Sequence, residues 1–350
     1  MLTIRTVWAA VVLGLALSVT AGGAASTGLP FKWFEPDATV SSDDYKRLAR
    51  REVVVKPLSA VNGQLGVFAV TPLSAEPDVF VEWIRQISQL QRSKAVSASR
   101  RFSEPPVLSD LDALYLDARD LEALRRCRVA QCAIKLSNPE IELVRRVAEV
   151  GSDDAIQVVF RRVLFERLMA YRAGGLPTMA PARSETGAPA EVFAALRTSA
   201  PYIRRADARL AQWLEDAQGN HGPEVESFFY WSKEYYASGK AVIALTQVGV
   251  TRAPGGGLSP EVAVSGKQLF ASRYMNGMLS HITVSRDPAS GVRYMTYSNR
   301  AQLDALKGFW SGVVRTIING RLRGDAATVL GSLRDRIESG PPKNETTITP

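Results

Sequence analysis

Apolar positions along this chain repeat with two periods, and the switches between them mark out its elements. Near the C-terminal end, Leu306, Phe309, Trp310, Val313, Val314, Ile317, Ile318 and Leu322 form one stripe at helical spacing, extended by Leu330, Leu333 and Ile337. The segment just before it, Val292 to Asn299, alternates as a strand does. Four more strand-like segments precede that one: Glu226 to Tyr236, Ala241 to Thr251, Val262 to Tyr274 and Met278 to Arg286. Turn-forming runs separate some of them, notably Ala253-Pro254-Gly255-Gly256-Gly257 and Asp287-Pro288-Ala289-Ser290-Gly291.

The front of the chain reads similarly. Val53 to Pro57 and Gly66 to Val70 are strand-like, with Asn62-Gly63 between them as a hairpin signal and Thr71-Pro72-Leu73 closing the second. Pro77 opens a helix with Val79, Phe80, Trp83, Ile84 and Ile87 on one face. A strand over Val96 to Phe102 follows. From Leu108 to about Arg172 the period is helical, with helix starts at Asp117, at Ser137-Asn138-Pro139-Glu140 and at Asp153-Asp154. Val158, Val159, Leu164, Phe165 and Leu168 are placed inward on the last of these. Further helices run from Glu191 to Leu196 and from Pro201 to about Gln218. Before the first strand, Phe31, Trp33 and Phe34 lie in an irregular arm and are candidates to tuck into the core.

The order is two strands, a helix, a strand, a helical block, five strands and a long helix. This resembles the START-like helix-grip superfamily, on the residues Gly66 to Trp83 in front and Glu226 to Ile337 behind. The resemblance implies an α+β fold in which a curved antiparallel sheet wraps a long C-terminal helix. Residues 108–222 would then be an inserted helical block, 26–107 the arm and first elements, 223–338 the strands and helix that complete the domain, and 339–350 a disordered tail. It also implies a cavity between helix and sheet for a lipid or other apolar small molecule. Phe309, Trp310, Val313, Tyr230, Phe270 and Tyr294 are the candidate lining residues. A filled core is the competing reading, since most apolar stripes are simply packed. Tyr230 to Glu234, Ser265 to Ser272 and Tyr297 to Arg300 are also similar to a group of exported bacterial proteins of unassigned activity.

Composition adds location. Arg5 followed by the uncharged run Val7 to Val19 and the small residues Ala21 to Ala25 reads as a secretory signal, cleaved near Ala25 to leave a periplasmic or secreted protein. An uncleaved anchor is the alternative, but the run is shorter than the ~20 residues that span a bilayer. In that compartment Cys127 and Cys132 are expected to pair. Closing so small a loop stabilises by only about 2 kcal/mol. A redox or peptide-binding role is the alternative for the pair. The formal charge is +8, but the basic pairs are dispersed. That is compatible with peripheral contact with an anionic membrane and lacks any nucleic-acid recognition motif.

Chemistry is thin. The two histidines, His221 and His281, stand too far apart to begin a metal site, and no cofactor is implied. His281 in its strand reads as a hydrogen-bonded structural residue. No Gly-x-Ser-x-Gly elbow and no phosphate loop is present. The paired carboxylates Asp43/Asp44, Asp110/Asp112 and Asp153/Asp154 sit where helices begin and are explained by capping. No catalytic residue is assigned. The leading expectation is a non-enzymatic binder of an apolar molecule. The alternatives are a cell-envelope interaction protein that docks through the helical block, and a cyclase- or hydrolase-like enzyme.

Overall fold

A computed structural model describes residues 31–59, 63–129, 131–181, 187–216, 223–235, 239–253, 259–304 and 326–342. Among these, eight strands form one antiparallel sheet. They are β1 (Val54–Leu58), β2 (Gln64–Leu73), β3 (Val96–Arg101), β4 (Glu226–Tyr235), β5 (Ala241–Arg252), β6 (Val262–Ala271), β7 (Met275–Arg286) and β8 (Arg293–Leu303). Their spatial order is β1-β2-β8-β7-β6-β5-β4-β3. The five C-terminal strands form a meander. The N-terminal hairpin adds to it through β8, and β3 closes the far edge on β4. Pro72 lies within β2, opposite Tyr294, and the strand ends at Leu73, the last residue of Thr71-Pro72-Leu73, as expected. Pairing with β8 holds that end extended, although Pro72 has no N–H to give to the ladder.

Helices cover both faces of this curved sheet. On one face lie the arm, α1 (Ser42–Ala49) and the block helices α4 (Ala118–Arg125), α5 (Asn138–Val150), α6 (Asp153–Gly174), α7 (Pro189–Thr198), α8 (Tyr202–Ala206) and α9 (Ala208–Glu215). On the other lie α2 (Pro77–Arg85), α3 (Ile87–Leu90) and a helix over residues 326–338, here α10. Burial on both faces removes the usual in-out alternation. All ten residues of β2 and all ten of β6 are buried. A strand with one face in water would show polar side chains at every second position.

The helix starts follow their capping chemistry. The Asp117 side chain accepts the Asp120 N–H at 2.9 Å, and Glu140 accepts the Ser137 N–H at 2.6 Å. At α6 the cap is Ser152, and Asp153 and Asp154 occupy the first turn. Val158 is 56% exposed on α6, against the inward placement expected of it, while Val159, Leu164 and Leu168 are buried. The helix packs one side on the sheet, and Val158 falls outside that stripe. The single helix expected from Pro201 to Gln218 is two. Asp207 interrupts it and caps the second by accepting the Arg209 and Leu210 N–H groups.

The arm does enter the core. The Phe34 ring lies 4.4 Å from that of Phe68 and 4.7 Å from that of Tyr202. Cys127 and Cys132 form a disulfide beside α4. Buried charges pin α4 to the sheet. Arg273 Nη1 donates to Asp120 Oδ1 at 2.6 Å, and Lys233 Nζ lies 3.5 Å from both Asp117 and Asp120. The expected C-terminal stripe is seen in part. Leu330 and Ile337 of α10 are buried against the sheet with Leu333 beside them, whereas residues 305–325 lie outside the described set.

Candidate functional site

The two faces of the sheet differ in chemistry. On the face under the block, buried polar side chains bond to one another in several places, while Ser285 Oγ and Arg300 Nε have no hydrogen-bond partner among the described residues. Lys267, only 1% exposed, donates from Nζ to Tyr171 Oη at 3.0 Å. Tyr171 donates in turn to Gln247 Oε1 at 2.6 Å. The rings of Tyr171, Phe193 and Trp213 stand 5.6, 5.1 and 5.3 Å from the ammonium. Burial pulls the Lys267 pKa down to about 8. Ser265 Oγ and His281 Nδ1 are hydrogen-bonded at 2.9 Å, and burial lowers the His281 pKa to about 4. Thr283 and Thr296 share a bond of 2.6 Å. These groups are closed in by packed helices, which makes them structural.

The opposite face is organised in bands. At one end Val248, Val250, Val262, Val264, Val284, Met295 and Ala69 pack against α2, α3 and α10. At the other, Val242, Ala271 and Met275 form a separate apolar cluster with Met278 and Leu303. Between them every strand from β5 to β8 carries a polar or small residue: Thr246, then Gly266 and Gln268, then Ser280, then Asn299. Register puts these side by side. Tyr230 pairs with Thr246 and Thr246 with Gln268. Gly266 pairs with Ser280 and Ser280 with Asn299. Paired residues in a sheet point to the same face, so the band is continuous. A Cβ at Gly266 would fall 2.5 Å from Ser280 Oγ, so glycine is what keeps the Ser280 hydroxyl uncovered there.

The hydrogen bonding of the band is incomplete. Gln91 Nε2 donates to Tyr230 Oη at 3.0 Å, and Asn299 Nδ2 donates to Tyr297 Oη at 2.7 Å. Thr246 also hydrogen-bonds the Tyr230 hydroxyl, while the Tyr297 oxygen accepts one bond from Asn299 and has its own O–H to give. Among the described residues Gln268 Oε1 is buried with no hydrogen-bond partner. An orphaned buried acceptor costs about 1–3 kcal/mol, a cost that a bound donor would remove. Burial, then the Glu234 carboxylate, pushes the Tyr230 pKa up to about 12. Burial likewise raises that of Tyr297, with Asn299 acting against it and Glu234 adding to it. Both hydroxyls are thus protonated donors at neutral pH.

Of the residues expected to line a cavity, Tyr230 lies in this band. Phe270 and Tyr294 do not join it. The Phe270 ring sits 4.7 Å from the Arg167 guanidinium in the core under the block, and Tyr294 meets Phe31 of the arm edge-on at 5.6 Å. For Phe270 the reason is a β-bulge between Leu245 and Thr246, which shifts the register and turns the end of β6 over. Phe309, Trp310 and Val313 lie outside the described residues. The polar members of the band, Gln268, Asn299 and Thr246, escape the sequence reading because isolated polar residues in strands look like solvated positions. Their common mark is a polar or small residue on the same face of four successive strands, in two rows two residues apart along β6.

No family model and no curated protein sequence matches the chain. Among solved structures, TTHA0849 from Thermus thermophilus is similar over 43% of this chain and 90% of its own, at 12% identity and TM-score 0.24. The di-domain ARO/CYC StfQ of the steffimycin biosynthetic pathway matches over 83% of this chain and 89% of its own, at 11% identity and TM-score 0.24. The di-domain ARO/CYC BexL of the BE-7585A biosynthetic pathway matches over 89% and 95%, at 10% identity and TM-score 0.24. At these values the likeness carries no weight for function, which rests on the geometry of the banded sheet face.

Proposed function

We propose that the banded face of the sheet binds an apolar small molecule, with the helix-grip reading of the chain as its architectural frame. The carrying observation is the polar band itself. It crosses four strands between two apolar clusters and includes a buried acceptor without a partner. A core built only for stability gains from apolar residues at such positions, about 25 cal/mol for each Å² removed from water. A largely apolar surface with a few polar anchors is what small-molecule recognition needs. The proposal includes export, supported by Arg5, the Val7 to Val19 run and the small residues ending at Ala25.

Two measurements test these parts. Titration of the purified protein with the neutral dye N-phenyl-1-naphthylamine is expected to give saturable fluorescence enhancement at about one dye per chain. Gln268→Leu and Tyr230→Phe should alter it while the far-UV spectrum is unchanged. Absence of saturable enhancement rejects binding. For export, N-terminal sequencing of the mature protein from fractionated cells should begin near residue 26, and an intact Met1 start in the cytoplasmic fraction rejects it.

A further inference from the structure

The polar band also constrains what kind of apolar molecule it can take, an inference that rests on the binding proposal above. Its groups are two acceptors buried without a partner among the described residues, Gln268 Oε1 and Gln91 Oε1, and two phenols, Tyr230, hydrogen-bonded by Gln91 and Thr246, and Tyr297, which accepts from Asn299. The charges around them do not favour an anion. Glu234 lies on the same side of β4 as Tyr230, four residues further along, and its carboxylate acts on both phenols. Lys267, next to Gln268 in sequence, points to the other face, into its cage of rings. Arg101, paired with Tyr230 across β3 and β4, is exposed and its guanidinium lies 4.3 Å from the centre of the Phe228 ring. A carboxylate or phosphate in the band would lose its hydration, find no buried cation beside it among the described residues, and place a second acceptor against Gln268 Oε1.

We infer that the ligand is a neutral apolar molecule bearing a hydroxyl or amide N–H, which donates to Gln268 Oε1, and not a fatty-acid or phospholipid anion. A hydroxyl can donate to Gln268 Oε1 and still accept a hydrogen bond from another donor. An ester of equal length can accept from a tyrosine but leaves Gln268 Oε1 unpaired. The selection is therefore a difference between head groups at constant chain length.

Displacement of N-phenyl-1-naphthylamine by 1-decanol, methyl decanoate and decanoate at pH 8 tests this with the full mature chain. Decanol should displace at a concentration at least tenfold below decanoate and several-fold below the methyl ester. Gln268→Leu should abolish the preference for decanol over the ester while leaving the ester itself bound. Gln268→Met, closer in shape, serves if the leucine variant misfolds, and the wild-type series decides by itself if neither variant folds. Decanoate displacing as well as decanol, or a decanol preference that survives loss of the Gln268 amide, overturns the inference and leaves the binding proposal standing. A protein that binds no dye at all fails the binding proposal first.

Discussion

The indole of Trp213 lies directly over Gly249, where a Cβ would come within 2.8–2.9 Å of three of its ring atoms. Trp213 belongs to α9 and Gly249 to the middle of β5, so this contact sets how closely the helical block approaches the sheet. Trp213 is 1% exposed, and its ring also stands 5.3 Å from the Lys267 ammonium. The indole has no room to yield.

Gly249→Ala should therefore destabilise the protein although alanine is the better strand residue. The gain from a stiffer unfolded chain is about 0.4–1 kcal/mol, and overpacking in a filled core costs about 1–3 kcal/mol. The net expectation is a loss of about 1–2 kcal/mol in urea unfolding. An unchanged or raised midpoint would mean that α9 is free to shift.

Lys267 offers a change in the opposite direction. Its folded pKa is depressed from 10.5 to about 8, so the charged form is the disfavoured one in the fold. The penalty, roughly 3 kcal/mol, is fully present below pH 8 and fades as pH rises to 10.5, where the unfolded chain also gives up its proton. The three rings offset part of it. Lys267→Met should stabilise the protein at pH 7 by about 1–2 kcal/mol, since an apolar side chain of similar volume removes the buried charge. It should also remove the rise in wild-type stability between pH 8 and 10.5. A variant less stable than wild type at pH 7 would show that the ammonium contributes more through Tyr171 and the rings than its burial costs.

His281 governs the acid side. It is buried neutral, with a folded pKa near 4 against 6.5 when unfolded. Its contribution is fully present above pH 6.5 and is lost as pH falls toward 4, because the unfolded chain takes up the proton first. Stability should drop by up to about 3 kcal/mol between pH 6.5 and 4. That window lies above most of the range in which Asp44, Asp117 and Asp207 titrate, since each of these carboxyls is held below its ordinary value. Urea midpoints at pH 7, 5.5 and 4.5, compared with those of His281→Asn, read out the effect. Parallel slopes for the two proteins would remove His281 as the cause.

Much of this molecule follows from local pattern. The strands of the meander, the N-terminal hairpin, the helix beginning at Pro77 and the caps at Asp117, Ser137 and Ser152 are set by period and capping chemistry acting over a few residues. So is the pairing of Cys127 with Cys132, which are five positions apart. What period alone leaves open is which face of each strand meets what. Lys267, Gln268 and His281 are equally polar in sequence, yet two of them point into the packed block and one into the band. That choice depends on long-range pairing, on a bulge at Leu245/Thr246 that turns one strand end over, and on helices arriving from more than a hundred residues away along the chain. A side chain two positions along a strand keeps its face, but only the tertiary structure says whether that face holds a filled core or a polar band with an unpartnered acceptor such as Gln268 Oε1. Burial and pairing are properties of the assembled sheet, and no short stretch of chain carries them.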